Sequence, residues 1–164
     1  MTINRSTESI KLIISIAICL LAGVLGSVFT IPAIPTWYAA LIKPSFAPPN
    51  WVFFPVWTAL FIMMGISLFL IWRMNMKDQL VKKALFLFAS QLILNVLWSA
   101  AFFGLKSPLA GLIDISILWI LILFTILNVM KLSRAAGILL IPYLLWVSFA
   151  AILNFAIWRL NSVF

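Results

Sequence analysis

Four side chains stand out as able to do chemistry in a chain that is otherwise almost wholly apolar: Trp57, Asn95, Trp98 and Trp146. Gln91, Asn95 and Trp98 fall at i, i+4 and i+7, which is one face of a helix. Tyr143, Trp146, Ala150, Leu153 and Asn154 lie near one face of a second helix, and Trp57 shares a face with Phe61 on a third. An indole offers a flat π face and one N–H, and an amide offers a donor and an acceptor. Set together inside a bundle, they suit a flat conjugated ligand gripped by stacking and hydrogen-bonded at its edge. A plainer reading stands beside this one. Gln91, Asn154 and Asp114 can be interhelical glue, since side-chain hydrogen bonds do join membrane helices. Tryptophans are also common anchors at a membrane surface. Anchoring suits Trp37, Trp51, Trp72 and Trp158, near the ends of apolar runs, better than Trp98 and Trp146, which lie well inside them.

The missing residue types narrow the chemistry further. There is no histidine and a single cysteine, Cys19. Zinc sites, non-haem iron sites and most haem sites use imidazole, so no metal site is expected. A Ser-His-Asp or Cys-His device cannot be assembled. Cys19 has no partner for an internal disulfide and reads as a small packing residue. No phosphate-binding loop or dinucleotide fingerprint is present. General acid–base chemistry would rest on Asp114 alone.

These residues must be positioned by helices in lipid. Hydrophobic residues make up 66% of the 164 positions and charged residues 9%, more apolar surface than a soluble domain this size can bury. Five apolar runs, about 12–32, 51–72, 84–104, 107–130 and 135–158, are each long enough to cross ~30 Å of hydrocarbon as a helix. Strands of a membrane barrel would be ~10 residues long and alternating, so the expected fold is all-α: a bundle of five transmembrane helices forming one domain. The first run also admits reading as a cleaved signal peptide, with Arg5 and Lys11 as its basic region. Its core exceeds the usual ~7–15 residues and lacks an Ala-x-Ala end, and Gly23, Gly26 and Ser27 suit a retained, closely packed helix.

Between the first two runs, residues 33–50 read as a lid. The segment from Trp37 to Trp57 is aromatic rather than polar. Pro44, Pro48, Pro49 and Pro55 remove backbone donors and fix φ, so the stretch is stiff and suited to lying at a membrane surface. The net charge is +8, from 11 Lys+Arg against 3 Asp+Glu. The basic residues sit between apolar runs, with no face able to follow a phosphate backbone, so anionic lipid is the expected partner and nucleic acid is not. Arg5, Lys11, Arg73, Lys77, Lys82, Lys83, Lys131 and Arg134 share one side of the bundle; Lys43, Lys106 and Arg159 share the other. By the positive-inside rule the N-terminus is cytoplasmic and the lid external, with a cell membrane as the expected location.

The segments WYAALIKPSFAPPNWVFFPVWTALFIMMG, QLILNVLWSAAFFG, GLIDI and IPYLLWVSFAAILNFAIWR stand in that order, and in this the chain resembles the TspO/MBR family. These are the tryptophan-rich sensory proteins of bacteria and archaea and the mitochondrial translocator protein, also known as the peripheral-type benzodiazepine receptor. The resemblance covers about residues 20–161. It implies a five-helix membrane bundle, usually dimeric, with a pocket under the first loop for porphyrins, haem and isoquinoline-type ligands. Carried over by motif, the pocket would comprise Tyr38 and Pro48 in the lid, Trp57, Asn95 and Trp98, and Trp146, Ala150 and Leu153. Nothing is covalently attached; porphyrin or haem would be the ligand, held by stacking rather than axial imidazole, with propionates within reach of Lys43 or Arg159. Light-dependent porphyrin degradation, reported for some members, would use Trp57 and Trp146.

The sequence also departs from the family's pattern. Phe46 stands where many members have Trp, and Phe61 where Tyr is common. Phe155 replaces the Tyr of the cholesterol-type motif, which gives little support for a sterol partner. Three functions remain open at this level: a tetrapyrrole sensor or transporter, a porphyrin-degrading enzyme, and a carrier of an unrelated solute using Asp114. Ala100 and Gly104, at i and i+4, offer a surface for close helix approach in a dimer.

Overall fold

A computed structural model describes residues 5–162; the side chain of Arg5 lies outside the described part. Helix α1 (Arg5–Ala33) continues without a break into a π turn at Ile34–Tyr38. Pro32 and Pro35 lack the N–H that the α ladder needs, and the wider turn begins between them, with Pro35 inside it. The hydroxyl of Thr36 donates to the Pro32 carbonyl at 2.8 Å. A 3₁₀ turn at Asn50–Val52 leads into α2 (Phe53–Trp72). Next come α3 (Gln79–Ser99), a second π turn at Ala100–Gly104, α4 (Pro108–Leu132), the short α5 (Arg134–Ile138) and α6 (Ile141–Asn161).

Local signals fix where these helices begin. The Asp78 carboxylate accepts from the Leu80 amide at 2.8 Å, and the Ser107 hydroxyl accepts from the Ala110 amide at 3.2 Å, with Pro108 opening α4. Ser133 ends α4 and caps α5 through the Ala136 amide at 3.3 Å. Such caps satisfy amides that have no partner within their own helix.

Five helical spans are long and apolar enough to cross a membrane: Ser6–Tyr38, Asn50–Trp72, Gln79–Gly104, Pro108–Leu132 and Arg134–Asn161, the last comprising α5 and α6. No strand occurs among the described residues. At most 39% of the most apolar window of any span is buried within the bundle, so the remaining apolar surface faces outward and its solvent is lipid. The protein is a multi-pass helical membrane protein. The spans begin and end differently from the apolar runs. The first starts at Ser6 and carries helix through Tyr38 to Ala40, so the lid proper is 41–49 rather than 33–50, and the third starts at Gln79 rather than Ala84. Capped helix ends reach beyond the hydrocarbon, and apolar runs do not register them.

The core lies where α1, α2, α3, α4 and α6 converge, around Cys19, Met64, Phe88, Leu118, Ile122, Tyr143 and Val147, each no more than 1% exposed. Glycines bring α1 close to its neighbours. A Cβ on Gly65 would lie 2.5 Å from the Cα of Ile16, and one on Gly26 would lie 2.9 Å from the Ser99 hydroxyl. Gly104 takes up a similar position against Phe29 of the same chain, at 2.9 Å. Across the core, the Ser67 hydroxyl donates to the Ala136 carbonyl at 2.9 Å, and the Trp119 indole donates to the Ser148 hydroxyl at 2.7 Å.

Candidate functional site

The predicted residues gather toward the lid end of the bundle. On α2, Phe53 and Trp57 are one turn apart; on α6, Tyr143 and Trp146 are nearly so. Phe53 meets Trp146 edge-on with centroids 5.9 Å apart, and Trp57 meets Tyr143 edge-on at 6.2 Å. Trp57 also stacks on Phe61 at 5.5 Å, and Trp146 lies tilted against Phe149 at 5.5 Å. The backbones of α2 and α6 make little close approach, so aromatic rings span the gap between them. Edge-to-face pairs are worth about 0.5–1.5 kcal/mol beyond their buried area, enough to fill such a gap yet open to exchange for another flat π system.

Asn95, 6% exposed, faces this wall from α3 and donates from Nδ2 to the Tyr143 hydroxyl at 3.0 Å. Trp98 donates from its indole to Oδ1 of Asn154 at 3.1 Å, and Asn154 Nδ2 donates to the Pro108 carbonyl at 2.7 Å. For Asn154 the glue reading therefore holds, because the amide ties α3, α4 and α6 together. For Gln91 it fails. That side chain is 1% exposed, and among the described residues neither amide atom has a hydrogen-bond partner. Buried Ser15 Oγ, Asp114 Oδ2 and Trp146 Nε1 are likewise without a partner in the described part. Trp146 is thus a stacking surface that keeps a free, buried donor.

A second aromatic cluster forms under the lid. Trp98 stacks on Phe102 at 5.4 Å and meets Phe103 edge-on at 5.8 Å; Phe102 also takes the edge of Trp37 at 5.5 Å. Tyr38, 5% exposed, packs between Phe102 and Phe103 at 6.2 and 5.6 Å. Both π turns contribute to it, and the one at Ala100–Gly104 is closed by the Leu105 amide donating five residues back to Ala100 at 2.8 Å. Its adjacent rings Phe102 and Phe103 also meet edge-on, with centroids 4.8 Å apart. Ala150 and Leu153 are buried, and Leu153 belongs to this second cluster. Pro48 sits half-buried in the lid beside Ala47, which packs on the same cluster, while Phe46 reaches Phe149 at 6.4 Å.

Two contacts hold the lid. Asn161 uses both ends of its amide on Ile42: Oδ1 accepts from the Ile42 amide at 3.0 Å, and Nδ2 donates to the Ile42 carbonyl at 2.9 Å. Lys43 lays its ammonium over the Tyr38 ring at 4.6 Å and donates to the Leu41 carbonyl at 3.3 Å. The lysine expected to meet an acidic ligand is therefore engaged by the lid itself. Sequence reasoning missed Phe53, Phe102, Phe103, Phe149 and Asn161. The phenylalanines look like any lipid-facing residue in an apolar run, and Asn161 lies past the end of its run. No group of three or more Cys, Asp or Glu side chains able to hold a metal occurs among the described residues.

Comparison with known proteins agrees with this architecture. Residues 15–159 match the model of the TspO/MBR family. The chain is 50% identical to the tryptophan-rich protein TspO of Chlorobaculum tepidum, over 94% of this chain and 98% of the relative. It is 47% identical to the protein of the same name from Archaeoglobus fulgidus, over 93% and 98%. With the translocator protein of Bos taurus it shares 36% identity over 87% of this chain and 85% of the relative. With one family model running from the first span into the last, and identity of this order over nearly the whole length, the chain belongs to the TspO/MBR family.

Proposed function

We propose that this protein is a membrane receptor or carrier for flat tetrapyrroles of the porphyrin and haem type, bound between α2 and α6 beneath the lid. The observation that carries the reading is the gap spanned by Phe53, Trp57, Tyr143 and Trp146, in which Trp146 retains a buried indole N–H without a partner among the described residues. A conjugated macrocycle entering this gap replaces edge contacts with face contacts to Trp57 and Trp146, and an acceptor on its rim satisfies the Trp146 donor. Asn95 fixes Tyr143 from the far side, and Trp98 holds the floor through Asn154. Entry requires the lid to lift, because Phe46 and Ala47 close over the aromatic clusters. Isoquinoline-type ligands, also flat and aromatic, fit the same chemistry. In the same reading the chain acts as a homodimer in the cell membrane, with the lid outside and the strongly basic end in the cytoplasm.

The test is quenching of tryptophan fluorescence by protoporphyrin IX, in the dark, on the purified protein. Saturable quenching at micromolar ligand is expected, with affinity weakened about tenfold or more in Trp146→Ala and in Asn95→Leu, a loss of ~1.4 kcal/mol. Quenching that rises without saturation, equally in native and variant proteins, would mean simple partition into detergent and would sink the reading.

A further inference from the structure

At the end of the bundle away from the lid, the turn between α4 and α5 forms a groove of about 480 Å³ lined by Met130, Lys131, Arg134 and Ile138. Both cations are exposed, and so is Ile138, at 57%. Ser133 breaks the helix between them and caps α5, which brings Lys131 and Arg134 to the same groove. Met130 is held in place from behind, where Gly137 packs against its Cγ and a Cβ on that glycine would displace it.

The charge of this groove is uncompensated. The chain has three acidic residues, Glu8, Asp78 and Asp114. Glu8 pairs with Arg73 at 3.1 Å and Lys11 at 3.9 Å, and Asp78 caps α3. Asp114 lies 17 positions back along α4 from Lys131, roughly 25 Å away at 1.5 Å per residue. Two cations without a counter-ion among the described residues, a guanidinium suited to phosphate oxygens, and two apolar walls are thus held where two membrane-crossing spans end.

We propose that this groove is a binding site for an anionic phospholipid. Lys131 and Arg134 take the phosphodiester, and Met130 and Ile138 cover the glycerol and the first acyl carbons. Free phosphate would satisfy only the two cations and leave half of the lining bare. The site is separate from the tetrapyrrole pocket and stands whether or not that reading holds.

Native mass spectrometry of the full-length protein, titrated with dioleoyl phosphatidylglycerol and with dioleoyl phosphatidylcholine, tests it. The expected result is one retained phosphatidylglycerol preferred roughly tenfold or more over phosphatidylcholine. That preference should be lost in Lys131→Gln/Arg134→Gln and weakened in Ile138→Glu. It should persist in Lys82→Gln/Lys83→Gln, which removes equal charge from the same end of the bundle. Equal loss in both double variants would reduce the effect to diffuse surface charge and overturn the site. Displacement of the lipid by millimolar inorganic phosphate would overturn it in favour of a free-anion site.

Discussion

Gly65 and Ile16 show how little freedom single positions leave in this bundle. The atom that a Cβ at Gly65 would strike is backbone, the Cα of Ile16 at 2.5 Å, so α1 and α2 must separate to admit it. Gly65→Ala is expected to destabilise the protein by about 1–3 kcal/mol, read as a lowered melting temperature in detergent. At Gly23 the nearest atoms belong to the Phe61 ring, 2.6 Å away, and a ring can give where backbone cannot. Gln91 is the opposite case. Burial of an amide with no partner is unfavourable, so Gln91→Leu is expected to leave the melting temperature unchanged or raise it by the equivalent of about 1 kcal/mol. A clear loss of stability would show that the amide has a partner, such as a bound water. Gly23, Gly26 and the polar face of α3 were legible in the sequence, because small residues and amides in an apolar helix require an explanation. What each of them touches was not, because facing residues lie on helices whose relative rotation no local pattern specifies.

For the lid, the deciding element is the end of α6. Asn161 pairs with both backbone groups of Ile42 as a neighbouring strand would, across 119 positions of sequence. Asn161→Ala removes both bonds without touching the core. Hydrogen exchange at the Ile42 amide and proteolysis within residues 41–49 are expected to rise about tenfold, with the five spans as protected as before. Unchanged exchange would mean that Lys43 and the aromatic packing hold the lid by themselves. The five spans were readable from run length alone, since lipid leaves a helical backbone no alternative. The helical character of Ile34–Tyr38 was hidden, because Pro32 and Pro35 signal the end of a helix and the π turn carries the chain past them.

At the scale of the whole molecule, charge and apolarity divide cleanly. The outer faces expose residues such as Ile13, Val28, Phe54 and Leu145 to lipid, while the end opposite the lid carries most of the basic side chains. By the positive-inside rule the expected location of that end is the cytoplasm, and the buried Cys19, 0% exposed, allows a direct check. Because the single native thiol is shielded, a membrane-impermeant maleimide on intact cells should label Ser45→Cys in the lid and leave both Lys77→Cys and the native chain unlabelled. Labelling of Lys77→Cys alone would invert the topology. The fold class was legible from composition at this scale. The gap that the aromatic rings bridge was not, because it depends on how far α2 stands from α6.

The π turn at Ala100–Gly104 carries a consequence for chain length. It holds one residue more than an α turn would need to join α3 to the next span. Excising one residue there would let the turn close as ordinary α helix, so the segments on either side would keep their relative rotation while the five-residue bond from Leu105 to Ala100 and the Phe102–Phe103 contact would be lost. The same deletion in the regular part of α3 has no such outlet: everything beyond it would rotate by about 100°, and Trp98 would leave Asn154. The span therefore obeys a counting rule stricter than hydrophobic thickness, and its one spare residue sits where the chain can lose it with only local repacking.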